Sequence, residues 1–151
     1  MYDQCVGMSN EYVIYCDESE KSGCRYSNFY GGALTRLQDL QEVIDRIERK
    51  KRELNLYGES KWQKVTSAYL DKYCCLMDEF FGLVETDKVK IRVMFTHNSF
   101  QPQNLEPYHR EHEYFILYYQ FIKHAFGLRY SNEGHNPVRV RIYFDKLPDT
   151  Q

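Results

Sequence analysis

The sequence is poor in several of the features that would name a function directly. It holds one tryptophan, four prolines and no apolar run approaching the roughly 18 residues of a membrane-spanning helix. Its first residues, "MYDQCVGMSN", show neither a basic start nor an apolar stretch, so no signal peptide is expected. Charge of one sign is not in excess: the formal net charge is −2, where a protein that coats nucleic acid nonspecifically is usually basic. A nuclease is not excluded on that ground, because its acidic site takes a metal before it tolerates phosphate. The five cysteines are odd in number and show no C-x-x-C spacing. A disulfide framework or zinc site is therefore not expected, and a reduced, cytoplasmic compartment is. Also missing are a Gly-rich phosphate loop, a Ser/His/Asp arrangement and a nucleophilic cysteine context.

What is present is ordinary globular composition, 42% hydrophobic and 28% charged over 151 residues. A chain of this size buries about 68–70% of its unfolded surface and needs neither disulfide nor metal to fold. One domain, 1–151, is expected. The aromatic share of 16% includes 14 tyrosines, which suit half-buried surfaces where a ring packs and a hydroxyl stays wet. A core uses such residues as readily as an interface or a stacking platform does.

Patterning predicts alternating strands and helices. "YVIYC", 12–16, and "FYGGALT", 29–35, read as two strands of a hairpin, the glycine pair permitting close backbone approach or a bulge. Leu37, Leu40, Val43, Ile44, Ile47 and Leu54 recur at helical spacing, up to a stop at "NLYG". A second helix follows Ser67 as its cap, with Leu70, Tyr73, Cys74, Met77 and Phe81 as its apolar face. In "KVKIRVMF", 88–95, Val89, Ile91, Val93 and Phe95 fall on one side and Lys88, Lys90 and Arg92 on a wet side, as in a strand near a sheet edge. Pro107 opens a helix running to Gly127; its centre, "YFILYY", is apolar all round, so the helix is central or part of an interface. "VRVRIYFD" alternates again, Val138, Val140, Ile142 and Phe144 opposite Arg139, Arg141, Tyr143 and Asp145. The whole argues an α/β sheet of mixed direction with packed helices. The sequence stops six residues after Asp145, before any helix that would cover the last strand, so a further C-terminal segment is expected.

Asp17 and Asp145 are each the first acid after an apolar strand. If those strands are neighbours, both carboxylates emerge at one sheet edge, where ligand sites of open α/β sheets lie. Glu59, in "YGESKW", follows the first long helix and could reach the same edge. Converging carboxylates repel, and a divalent cation removes the repulsion; oxygen ligands suit magnesium or manganese. The plainer readings are a turn-forming Asp17, a solvated Glu18 on the opposite face and a surface pair between Glu59 and Lys61. "HREHE", with His109, His112 and Glu113, lacks the H-E-x-x-H spacing and reads as solvated helix. "RKKR" and the alternating bases at 88–92 and 139–141 read as solvated faces unless they cluster near the acids. Cys16 is expected to point into the core as a small hydrophobe.

"YVIYCDES", "FYGGAL", "ESKW" and "RIYFDK", in this order over most of the chain, resemble the family catalogued as domain of unknown function 3800. That resemblance implies a ribonuclease H-like mixed sheet with packed helices and a metal-dependent nuclease site, with magnesium or manganese as cofactor. It matches Asp17, Glu59 and Asp145 to the acidic positions and gives Lys61 an electrostatic supporting role. The substrate it implies is nucleic acid, RNA or DNA. Two departures stand out: Glu20 replaces the glycine common after D-E-S, and a fourth acid has only Asp149 as a late candidate. The rival expectation is a catalytically inactive ribonuclease H-like binding or assembly module, forming a homodimer through the helix at 107–127. A nonhydrolytic nucleotide-binding domain finds no support in the glycine pattern.

Overall fold

Strand alternation sets the architecture. In the computed structural model, which describes residues 10–19, 23–100, 103–131 and 137–145, four strands form one sheet. They are β1 (Glu11–Ser19), β2 (Tyr26–Arg36), β3 (Lys90–His97) and β4 (Arg139–Phe144), in the order β3-β2-β1-β4. Strands β1 and β4 are parallel, in a register running from Glu11↔Arg139 to Cys16↔Phe144. The link between β1 and β2, residues 20–25, is too short for a parallel crossover, which leaves a hairpin. Between β2 and β3 the Asn98 amide donates to the Arg25 carbonyl (2.8 Å) and the Thr96 hydroxyl to the Ser27 carbonyl (2.9 Å). These two links run in opposite directions along the strands, so the pair is antiparallel and the sheet is mixed. Four helices accompany it among the described residues: α1 (Leu40–Glu53), α2 (Leu70–Glu85), α3 (Pro107–Glu111) and α4 (Glu113–Ala125). Cys5, Glu20, His135 and Asp149 lie outside the described residues.

The chain divides into two compact units, one made by residues up to Leu34 together with those from Ile91 onward, the other by Thr35–Lys90. In the first, Ile14 and Cys16 of β1, Tyr30 and Leu34 of β2, and Tyr118 and Phe121 of α4 form a buried cluster. Val140, Ile142 and Phe144 of β4 and Met94 of β3 pack against it, so α4 covers one sheet face. The all-apolar centre of the predicted helix is thus used centrally. That helix is not continuous, however: His112 breaks it between α3 and α4, with φ −109 and ψ 17. Gly32 is what lets α4 come so near, since a Cβ there would lie 3.0 Å from the Phe126 ring and 3.1 Å from that of Phe121.

Strand β3 lies at the sheet edge, as its alternation predicts; Val89 just before it is buried and Arg92 exposed, as expected, but from Val93 to Phe95 the faces are reversed. Met94 turns to the core, while Val93 and Phe95 are exposed. Of the two roles open to the glycine pair, Gly32 serves close approach; it is at Asn28, with φ 52°, that alternation is interrupted, so that both Tyr26 and Phe29 meet the Phe95 ring.

In the second unit α1 and α2 pack together, tied by a part-buried Arg46–Glu79 ion pair at 2.7 Å. Helix α1 stops by a double bond pattern: Leu56 N–H to the Lys51 carbonyl and Asn55 N–H to the Arg52 carbonyl, with Asn55 at φ 53°. Asparagine supplies the stop read from "NLYG", and Leu56 is buried beneath it. Helix α2 begins at Leu70, with no side-chain cap from Ser67. Its apolar face is not the one that the spacing picks out. Leu76 and Leu83 are buried, whereas Leu70, Cys74, Met77 and Phe81 are exposed along a groove of about 460 Å³ lined also by Trp62 and Val65. The helix carries two apolar stripes, and spacing alone does not say which meets α1. Among the described residues no helix is long and apolar enough to cross a membrane.

Candidate functional site

Asp17 and Asp145 come together through strand pairing. The Cys16↔Phe144 register, carried one residue further, sets Asp17 opposite Asp145 on strands about 4.8 Å apart. Both are exposed. Alternation puts Asp17 on the sheet face away from α4, because Cys16 points into the α4 cluster; Asp145 follows Phe144, which packs on the same cluster. One Asp17 oxygen accepts the Glu18 backbone N–H at 2.9 Å; Asp17 lies inside β1, which continues to Ser19, so it is neither a turn former nor the first residue after the strand. Two exposed carboxylates at a separation of about 5 Å would repel by only about 1 kcal/mol in a waterlike dielectric. The pair therefore needs no cation to fold, yet offers hard oxygen donors to one.

A ladder leads up to these acids along the same face. Glu11 pairs with Arg139 (3.3 Å) and Arg141 (3.5 Å), Tyr15 stacks on Tyr143 with ring centroids 5.2 Å apart, and Asp17 and Asp145 follow. The stacked tyrosines escape an analysis that looks only for acids. Their signal is nevertheless in the chain: Ile14-Tyr15-Cys16-Asp17 lies within β1, which runs on to Ser19, and Ile142-Tyr143-Phe144 closes β4 with Asp145 just after it, one pattern written twice. The parallel register aligns the two copies residue by residue.

Glu59 and Lys61 belong to the second unit, in the loop between α1 and the 3₁₀ turn Trp62–Lys64. They form an ion pair at 2.9 Å, and the Lys64 amine donates to the Glu59 carbonyl at 3.0 Å. The hydrogen bond from Lys61 holds the Glu59 carboxyl below its ordinary pKa. Among the described residues no three His, Cys, Asp or Glu side chains gather as a metal-holding group.

Glu18 differs from its expected solvated state. It faces α4, where the Tyr118 hydroxyl donates to its carboxylate. A tyrosine ring buried to 4% exposure needs an acceptor for its hydroxyl, and Glu18 at the strand end supplies it. Burial first, then this hydrogen bond, pushes the Tyr118 phenol far above its usual pKa. Cys16 points into the core, and burial, with Glu18 nearby, raises its thiol to about 11 from 9.0. A raised folded-state pKa contributes stability that is complete below the unfolded value and is lost as pH rises through the folded one. The parent is therefore expected to lose about 2 kcal/mol between pH 9 and pH 11 relative to Cys16→Ser, which has no thiol to titrate. Denaturant midpoints of the two proteins across that range check it; parallel pH curves would refute it.

Compared with protein-family models, with curated proteins and with solved structures, the chain matches none.

Proposed function

We propose that this protein is a metal-dependent nuclease of ribonuclease H-like fold, with Asp17 and Asp145 at the centre of its metal site. The observation that carries the reading is the parallel pairing of β1 and β4, whose register, continued by one residue, makes Asp17 of β1 and Asp145 just past β4 neighbours. They stand where the sheet stops growing on the β2 side of β1 and is extended on the other, the position at which open α/β sheets hold ligands. Exposed carboxylate oxygens fit magnesium or manganese. Such an ion, when bound, supplies the charge that activates water and stabilises the leaving oxygen of a phosphodiester. The chain's own part is to fix the carboxylates: the ladder pairing holds their backbones, and the Glu18 amide orients Asp17.

Manganese titration of the full chain tests the reading. Saturable binding is expected, weakened at least about tenfold by Asp17→Asn or Asp145→Asn, since each removes a charged ligand. Binding unchanged in both variants would remove the aspartate pair from the site.

A second reading draws on α4, where Phe115 and Tyr119, one turn apart, are 43% and 58% exposed on the side away from the core. In that reading the protein is an inactive assembly module whose copies meet through this helix. Sedimentation decides between them: a strictly monomeric protein rules out the assembly reading.

A further inference from the structure

The face of the sheet opposite α4 carries aromatic rings on all four strands: Phe95 on β3, Phe29 on β2, Tyr15 on β1 and Tyr143 on β4. Tyr15 is 47% exposed, Tyr143 49% and Phe95 47%, values high for rings in the middle of paired strands. Gly31 of β2 presents no side chain to this face, and a Cβ there would meet only the Asp17 carbonyl oxygen, at 3.8 Å. The Tyr15–Tyr143 stack stands one step along the ladder from Asp17 and Asp145. On its other side Arg139 and Arg141, with side chains 78% and 59% exposed, share the single carboxylate of Glu11, leaving one positive charge.

We infer that the part of this face around the tyrosine pair is a stacking platform for single-stranded nucleic acid, Tyr15 and Tyr143 taking a base while Arg139 and Arg141 take the backbone beside it. The inference rests on the nuclease reading for the class of its substrate. A base offers a π-face to a tyrosine only when it has left its own stack, so the platform discriminates against duplex. Charge placement favours nucleic acid over a protein partner, because protein interfaces deplete charge at their centre and here charges flank the tyrosine pair on both sides. Guanidiniums suit phosphate, and the acids at the other end lie where a metal would meet the same strand.

The test is fluorescence anisotropy of the full chain in calcium, an oxygen-binding ion that neutralises the aspartates, with labelled single-stranded DNA, single-stranded RNA and duplex DNA of about 12 nucleotides, their intactness checked on a gel. At least one single strand is expected to bind about tenfold more tightly than duplex, and the two single-strand arms tell which sugar is preferred. Tyr15→Leu and Tyr143→Leu, which keep apolar bulk but lose the ring, are each expected to weaken that binding about tenfold. Tyr15→Phe and Tyr143→Phe are expected to stay within about twofold, because stacking uses the ring and not the hydroxyl. Arg141→Ala is expected to flatten the salt dependence by about 0.7 in log–log slope, one phosphate contact fewer. Equal affinity for duplex, no binding of either single strand, or leucine variants that bind as the parent does would each overturn the platform. Hydrolysis of the same strands in manganese is scored separately. Ring-dependent binding without hydrolysis keeps the platform and removes the nuclease; hydrolysis with ring-independent binding does the reverse.

Discussion

Phe121→Ala is expected to destabilise the first unit by about 3–5 kcal/mol, the usual cost of emptying an aromatic site in a packed core. Phe121 is wholly buried, meets the Phe126 ring edge-on at 5.5 Å, and lies over Gly32. Its space cannot collapse easily, because the sheet backbone is on one side and α4 itself on the other. Denaturant midpoints measure the loss. The matching control is Phe81→Ala on the exposed side of α2, at 53% exposure, which is expected to cost less than about 1 kcal/mol. Comparable losses at the two positions would show that the α4–sheet contact is not the principal core of its unit. Gly32→Ala pushes at the same contact from the other direction. Its added methyl would sit 3.0–3.2 Å from atoms of Phe126 and Phe121, and overpacking of this kind costs about 1–3 kcal/mol. Combined with Phe121→Leu the cost of Gly32→Ala is expected to shrink, the non-additivity that contacting residues show.

Much of this core was readable from periodicity and some was not, for reasons that individual residues make plain. Val140, Ile142 and Phe144 face the core and Arg141, Tyr143 and Asp145 face away, as alternation says, because β4 has one dry face. Strand β3 alternates as cleanly, yet Met94 and not Val93 or Phe95 meets α4. Alternation reports two faces; which of them is dry is decided by long-range packing. The same holds for α2, where Leu76 and Leu83 form the stripe that is buried and the better-marked stripe from Leu70 to Phe81 stays open. The break at His112 has no proline or glycine to announce it. For the site, the first acid after each apolar run picks out Asp17 and Asp145, but only the parallel register of β1 and β4 says that the two lie on neighbouring strands. Glu18 is a local miss: nothing near it in sequence points to Tyr118, one hundred residues later.

Asp145→Asn is expected to lower manganese-dependent hydrolysis of a single-stranded oligonucleotide by about 10²–10³-fold, while leaving the melting midpoint nearly unchanged. A metal's stabilisation of developing charge is worth several kcal/mol of barrier, and about 3–4 kcal/mol corresponds to that loss of rate. Stability is spared because Asp145 is exposed and stands just beyond the last paired residue of β4. A hydrolysis rate within about twofold of the parent would refute a catalytic role for the strand-end pair. Glu59 and Lys61 answer a separate question with a separate signature. If Glu59 works as a carboxylate, Glu59→Gln removes activity to a similar degree, whereas Lys61→Met changes mainly the pH profile. Lys61 holds Glu59 ionised to lower pH, so without it the carboxyl protonates at higher pH and the acid limb of the rate profile moves upward. An acid limb unmoved by Lys61→Met, in a protein that Glu59→Gln still silences, would make Lys61 a surface partner and leave Glu59 in place. Loss at Asp145 with full activity at Glu59→Gln would confine the chemistry to the two strands whose endings repeat.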